Sequence, residues 1–381
     1  MRFLVWTAAL ALACSSSSPA APTGVHALYD FASADFFDAP YPSDQRLKDG
    51  APDVTKFPNP TLVKIVDDFV RIVCQRKGFP VLPVVYVKFD GPIAPMDLDK
   101  VIPADKAQPI LLVDVDPASP ERGALTPVVA TVPPADTYVP DNLLAIAPRP
   151  GFVLAPKRTY ALVIKRGLND ASGKPLLVSK GFDVSASKPL SDVLATLAID
   201  PMDVAVATVF TTGDVVKDTF DLTSAVLQKY KVTIDGMTLH PMNDQLSDKY
   251  CRVDATIKMP QFQKGTPPYA TDGLFDIGAD GLPIKQRDES VNVVITLPKT
   301  TMPASGFPVI HYVHGSGGYA SQFVDGQGEG MDVAAHWPAY VNASHGIAMY
   351  SASMPVNPER LPGADDIEYL NLSNPTAMRD T

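Results

Sequence analysis

Residues 306–318 read Gly-Phe-Pro-Val-Ile-His-Tyr-Val-His-Gly-Ser-Gly-Gly, and this stretch decides the fold class of the C-terminal part of the chain. Its mostly apolar start predicts a strand that is buried on both faces, which is typical of the parallel sheets of α/β proteins. The glycines behind it allow the backbone to approach a ligand closely and to direct N–H groups at an anion. In acyl transfer that anion is the tetrahedral oxyanion, which each preorganised N–H donor stabilises by about 3 kcal/mol.

This strand and its glycine-rich loop resemble the strand and oxyanion loop of the α/β-hydrolases, close to the HGGG motif of lipases and esterases. The resemblance implies an oxyanion hole at His314, Gly315, Ser316 and Gly317. The backbone N–H groups of Ser316 and Gly317 would be the donors. Gly315 would permit the turn, and His314 would frame it.

The flanking segments fit the same resemblance. The run Val294–Pro298 would be the preceding strand, and residues 332–344 would form a helix that restarts at Pro338 as a first-turn proline. Residues 347–351 would be the next parallel strand. Residues 374–380 are similar to the segment that opens the next helix in many exported hydrolases.

A serine hydrolase of this family also needs a G-x-S-x-G elbow, followed in chain order by an acid and a histidine. The sequence contains no G-x-S-x-G, and Ser316 lies in the oxyanion loop. In the family the elbow comes just beyond the position that Thr381 occupies here. We therefore expect an N-terminal fragment of an exported lipase or esterase, with the oxyanion loop, no catalytic residue and no turnover.

A second hypothesis is a non-catalytic surface lipoprotein, which would serve in binding or as a scaffold and retain a hydrolase remnant. The absence of a triad favours this hypothesis. The preserved His-Gly-Ser-Gly-Gly loop favours the first one.

The N-terminal half reads as β-structure. The whole chain has 38 prolines in 381 residues, about twice the average usage, which disfavours a helical bundle. Short apolar runs bounded by Pro, Gly and Asp predict strands at 84–89, 109–114, 128–132, 143–146, 161–164 and 204–210, as in a sandwich. Residues 154–176 resemble bacterial Ig-like domains through an L-x-P-x-x-x-Y…G-L-x-D-x-x-G pattern, formed here by Leu154, Pro156, Tyr160, Gly167, Leu168, Asp170 and Gly173.

The fold class expected from these features is mixed, with a β-rich Ig-like sandwich followed by the first part of an α/β-hydrolase doubly wound sheet. Amphipathic spacing predicts helices at 61–76 and 218–230. The expected domains are a signal peptide at 1–14, a tether at 15–25, a β-rich region with the Ig-like module at 26–215, a helical connector at 216–250 and an incomplete α/β-hydrolase domain at 251–381.

The first residues predict export. A positive Met1-Arg2 precedes a short apolar run, and the small residues before Cys14 resemble the bacterial lipobox. Cys14 would then be lipidated and anchor the protein to a bacterial membrane. An ordinary secretory signal cleaved near Ala20 is the alternative.

Charge and residue spacing limit the partners. The net charge of −10 argues against nucleic acid, and a small-molecule or lipid ester is the expected substrate. His311 and His314 would point to opposite faces of a strand, so they cannot share a metal ion. We expect no metal and no cofactor, and we expect His311 in the core. Cys74 and Cys251 could pair in an oxidising compartment or remain two buried thiols.

Overall fold

A computed structural model describes residues 24–241, 247–326 and 337–381. The predicted signal peptide, Cys14 and the tether up to residue 23 lie outside these residues, as does the start of the helix predicted at 332–344. Within the described ranges, no helix combines the length and the apolar character needed to cross a membrane.

The described residues form a mixed, β-rich fold with several antiparallel sheets. The strands are β1 (Leu47–Lys48), β2 (Ala51–Pro52), β3 (Val85–Lys88), β4 (Ile110–Asp114), β5 (Leu125–Thr126), β6 (Val128–Thr131), β7 (Leu143–Pro148), β8 (Thr159–Lys165), β9 (Val204–Thr211), β10 (Ile234–Leu239), β11 (Tyr250–Gln261), β12 (Arg287–Pro298), β13 (Val309–His311) and β14 (Ala348–Ala352). The helices are α1 (Lys64–Val73), α2 (Lys188–Thr196), α3 (Val215–Lys229), α4 (Gln322–Asp325), α5 (Pro338–Ser344) and α6 (Pro375–Asp380).

The chain divides into two compact units, each of which collects segments that are distant in sequence. The first unit contains the residues up to Ser43, Leu82–Val153 and Thr159–Phe210, and the second contains Asp44–Val81, Leu154–Arg158 and Thr211–Thr381. The first part of the expected connector at 216–250 contains α3. Its later part contains β10, which joins a sheet of the second unit.

The first unit contains a three-stranded sheet in the order β3-β7-β6 and a four-stranded sheet in the order β5-β4-β8-β9. The pairs within β3-β7-β6 and β5-β4-β8 are antiparallel. Helix α2 packs on the four-stranded sheet through Leu190, Val193 and Leu194, which meet Val113 and Val163 of β4 and β8. Both of these strands are therefore buried along almost their whole length, and their runs are continuously apolar rather than alternating.

Residues 167–173 form a turn that is held by the Asp170 carboxylate. The Asp170 carboxylate accepts the backbone N–H groups of Ser172 at 2.8 Å and Lys174 at 2.9 Å. This pattern is an Asx-type turn, in which the side chain satisfies backbone donors that a ladder would otherwise use.

The second unit is built on a five-stranded sheet in the order β10-β11-β12-β14-β13. Strands β11 and β12 form a long antiparallel hairpin, with Tyr250 opposite Pro298 and Gln261 opposite Arg287. Strand β14 pairs antiparallel with β12 and parallel with β13. Since β14 follows β13 in the chain, the two are joined by a crossover, which includes α4 and α5.

Apolar residues of α4 and α5 cover one face of this sheet. Phe323, Val324 and Ala343 pack against Val294 of β12 and Met349 of β14. The predicted parallel strand at 347–351 is thus confirmed as β14. The predicted helix is confirmed over Pro338–Ser344, with Pro338 in its first turn.

The burial predicted for the strand before the glycine-rich loop is wrong. Strand β13 is an edge strand of the sheet, paired only with β14 within the described residues, and Val309 and Val313 are 60% and 57% exposed. His311, predicted in the core, is exposed and stacks on Tyr350 with 4.5 Å between the ring centroids. An apolar run does not distinguish a central strand from an edge strand, because both carry the same residue types.

The two cysteines left open by the sequence are both free thiols. Cys74 directly follows α1 and Cys251 lies in β11, and both are half-buried. They are therefore neither paired nor fully buried.

Two glycines allow a close backbone crossing in the second unit. Phe79 donates its N–H to the Thr211 carbonyl at 2.9 Å, and Gly213 donates to the Phe79 carbonyl at 2.8 Å. A Cβ on Gly213 would overlap the carbonyl oxygen of Lys77, and one on Gly78 would lie 2.6 Å from the Gly213 nitrogen. Neither position therefore has room for a side chain.

We expect Gly213→Ala to lower the free energy of unfolding by about 1–3 kcal/mol, since overpacking of this kind forces the backbone to shift. Gly167→Ala is the matched control, because a Cβ there meets no heavy atom within 4 Å. Urea unfolding of both variants makes the comparison. Equal stability of the two variants would contradict the crossing as described.

Candidate functional site

The glycine-rich loop begins at the carboxyl end of β13, beside the carboxyl end of the parallel strand β14. The N–H of Gly318 donates to the Gly315 carbonyl at 3.1 Å and closes a turn. Gly317 has a φ of 65° at the third position of this turn, where a type II turn requires glycine. No acceptor within the described residues takes the N–H of Ser316 or Gly317. The turn therefore presents two uncommitted backbone donors.

His314 anchors the start of the turn. The residue is 5% exposed, and its Nδ1 lies 2.9 Å from the Gly315 carbonyl oxygen. The backbone N–H of Met354 donates to its Nε2 at 3.1 Å. Because a backbone N–H can only donate, Nε2 is the acceptor and the proton is on Nδ1. Both ring nitrogens are engaged, so His314 shapes the turn and is not placed to act as a base.

The segment that follows β14 anchors the end of the turn. Asn357 is 5% exposed and donates its Nδ2 to the Gly318 carbonyl. Glu359 accepts the N–H of Ala320 at 2.8 Å and the Nδ2 of Asn292 at 3.2 Å. The sequence analysis missed these residues. The Asn357-Pro358 pair, which marks a turn after a strand, is the one local signal for them.

An ionic network fixes this segment to β12. Glu289 accepts hydrogen bonds from Arg360 and, at 2.6 Å, from Arg287, whose guanidinium also donates to the Tyr269 hydroxyl at 2.6 Å. Burial raises the pKa of Glu289, but the hydrogen bond and charges of the two guanidinium groups outweigh burial, so its pKa lies below the ordinary value. Burial raises the pKa of Tyr269, which is 1% exposed. Tyr269 is thus a neutral acceptor for Arg287.

A third segment lies against the mouth of the turn. The Ser316 hydroxyl is 2.8 Å from the Tyr369 hydroxyl. A Cβ on Gly317 would be 2.5 Å from the carboxylate carbon of Asp366. Since the Ser316 hydroxyl contacts a phenol, not a histidine or a carboxylate, the geometry does not activate Ser316 as a nucleophile.

A groove of about 270 Å³ is lined by residues of β10, β11 and β12 together with Glu359. Its polar lining includes Thr238, Arg252, Asp254, Asn292 and Glu359. Arg252 is paired with Asp254 at 2.8 Å, so its charge is partly neutralised. Glu359 both lines the groove and supports the end of the turn. Among the residues that the structure describes, no group of three His, Cys, Asp or Glu could hold a metal ion.

Comparison of the chain with models of protein families, with curated proteins and with solved structures gives no match.

We expect the His314 ring to carry its proton on Nδ1, because the Met354 N–H occupies Nε2. Long-range ¹H–¹⁵N correlation spectra of the histidine rings identify the tautomer directly. The exposed His311 serves as the internal reference. A protonated Nε2 on His314 would contradict the hydrogen bonds described for the turn.

At pH 7 we expect Glu289→Gln to lower the free energy of unfolding by about 2 kcal/mol, since hydrogen bonds to charged groups contribute about 1.5–3 kcal/mol. The folded-state pKa of Glu289 lies below the ordinary 4.5, so this contribution is fully present above pH 4.5. It is lost as the pH falls through the lower folded-state pKa.

Urea titrations of wild type and Glu289→Gln at pH 7 and at pH 3 should therefore show a smaller difference at pH 3. The adjacent Asp288→Asn is the control, because the Asp288 ion pair with Lys285 is solvent-exposed and contributes little. A difference between wild type and Glu289→Gln that is independent of pH would disprove the role of the carboxylate charge.

Proposed function

We propose that this chain provides the oxyanion loop of an exported carboxylic ester hydrolase of the α/β-hydrolase type. The observation that carries the proposal is the glycine turn after β13, whose Ser316 and Gly317 N–H groups have no acceptor in the part of the chain that the structure describes. Preorganised backbone donors of this kind are what an ester hydrolase aims at the tetrahedral oxyanion. The parallel β13–β14 pair with its helical crossover supports a doubly wound sheet.

Ser316 and His314 are not placed to serve as the nucleophile and base of such a site. The sequence has no G-x-S-x-G, the Ser316 hydroxyl contacts Tyr369, and both nitrogens of His314 are engaged. The substrate class we propose is a small-molecule or lipid ester. Acyl transfer would then proceed through a nucleophile that is not part of this chain.

We also propose that the chain is exported and lipid-anchored and that its first unit contains an Ig-like module. The apolar N-terminal run before Cys14 supports export and lipid attachment to a bacterial membrane. The sheets of three and four strands, with the turn held by Asp170, support an Ig-like module in the first unit. Helix α2 on one face of the four-stranded sheet would be an addition to that module.

A specific contact favours a second candidate, a non-catalytic surface lipoprotein with a hydrolase remnant. The Asp366 carboxylate lies against Gly317, beside the two donors. A negative charge at that place opposes the binding of an oxyanion. In this candidate the turn would be part of a binding surface or scaffold.

The deciding experiment uses the product of the natural gene, with its intact mass measured and its hydrolysis of p-nitrophenyl esters assayed. We expect the 381-residue chain by itself to give no turnover. For a hydrolytic gene product we expect Gly317→Ala to lower kcat by about 10²–10³-fold, the size of effect seen when an oxyanion donor is lost. The reason is that a side chain at a φ of 65° both strains the turn and meets Asp366.

Gly167→Ala, in the first unit, is the control and should leave turnover unchanged. Ester hydrolysis by the 381-residue chain that Ser316→Ala abolishes would overturn the proposal. A natural product with a mass near 40.8 kDa and no ester turnover would favour the non-catalytic candidate.

A further inference from the structure

We infer that Asn357 and Glu359 are positioning residues, which hold the glycine turn in the geometry that lets the Ser316 and Gly317 N–H groups bind an oxyanion. This inference rests on the proposed function and deepens it. Neither residue touches the place where a substrate would react. Both act through the end of the turn, at Gly318 and Ala320.

The turn cannot hold its own geometry. Its one internal hydrogen bond joins the N–H of Gly318 to the Gly315 carbonyl. Gly315 and Ser316 are exposed, and glycine has the widest backbone freedom of any residue. Donors that stabilise a transition state must already be oriented when charge develops, since reorganisation during the reaction removes the benefit. External supports therefore decide whether the two N–H groups are preorganised.

These supports all come from the segment after β14. The N–H of Met354 binds His314, the Asn357 amide binds the Gly318 carbonyl and the Glu359 carboxylate binds the N–H of Ala320. One support is at the start of the turn and two are at its end. The exposed donors lie between them, so both ends of the four-residue turn are fixed to the same segment.

Asn357 needs an amide for this role. Its Nδ2 donates to the Gly318 carbonyl, while its Oδ1 accepts the N–H groups of Glu359 at 3.0 Å and Arg360 at 3.3 Å. A carboxamide supplies a donor and an acceptor from one side chain, whereas a carboxylate supplies acceptors only. Asn357→Asp thus keeps the contacts within the segment and removes the contact to the turn.

Glu359 ties the turn to the sheet. One carboxylate oxygen accepts from Ala320 and the other accepts from Asn292 of β12. The next residue, Arg360, binds Glu289 of the same strand. The support is therefore based on a strand of the sheet, and sites held by such rigid elements are more precise than sites held by loops alone.

The test compares Asn357→Asp with Gln263→Glu. Gln263 is the matched control, because it is a 1% exposed amide whose Nε2 donates to the Gly273 carbonyl and the Thr381 hydroxyl, away from the turn. Two readouts are needed. The first is the amide chemical shift and hydrogen exchange of Ser316 and Gly317 in the 381-residue chain. The second is kcat and KM of the natural gene product with p-nitrophenyl esters.

For Asn357→Asp we expect displaced amide shifts and faster exchange at Ser316 and Gly317, with kcat lowered about 10–100-fold and KM within about threefold, since a small misplacement can cost about 10²-fold. For Gln263→Glu we expect a fall in melting temperature comparable to that of Asn357→Asp. The amide shifts at the turn and kcat should be unchanged. Glu359→Ala removes the acceptor of the Ala320 N–H and leaves the Asn357 contacts in place, so it provides the same readouts should Asn357→Asp fail to fold.

The outcomes separate this inference from the proposed function. Unmoved Ser316 and Gly317 amides in both Asn357→Asp and Glu359→Ala would overturn the inference, whatever the activity. A natural product without ester turnover would overturn the proposed function, while the amide measurement would still decide the positioning role. An active product whose kcat is unaffected by both substitutions would overturn the inference alone.

Discussion

The parallel ladder between β13 and β14 is the constraint on which the candidate site depends. Because β14 enters the sheet between β12 and β13, the carboxyl ends of both parallel strands come to one edge. The glycine turn follows the carboxyl end of β13, and the segment of Asn357 and Glu359 follows the carboxyl end of β14. Groups 40 residues apart in the chain, such as the His314 ring and the Met354 N–H, are thereby brought within hydrogen-bonding distance.

Much of the secondary structure could be predicted from the sequence, because Pro, Gly and Asp bracket the apolar runs of the first unit. Helix α2 was not predicted, although Leu190, Val193 and Leu194 have helical spacing and Pro189 is a start signal. Strand β10 was not predicted either. Its pairing with β11 shifts register, and Gly236 interrupts the alternation by which a strand is recognised.

The candidate site was predictable only in its local part. The glycines of the turn can be recognised in the sequence, since a positive φ and a close approach both require the absence of a side chain. Little in the sequence indicates that Asn357 and Glu359 support the turn, because each contacts the turn through one hydrogen bond to a partner 39 residues away. Such pairings follow from the order of strands in the sheet. The periodicity of apolar residues identifies each strand separately and therefore does not predict the order of the strands in the sheet.

The segment of Asp366 and Tyr369 sets a condition on any chemistry at the turn. Two unit charges 4 Å apart interact by about 4 kcal/mol at a protein surface with an effective dielectric constant of about 20. One oxyanion donor contributes about 3 kcal/mol. A carboxylate that stayed beside Gly317 would thus offset roughly the stabilisation that one donor contributes. Screening by solvent and salt at the exposed Asp366 reduces this effect.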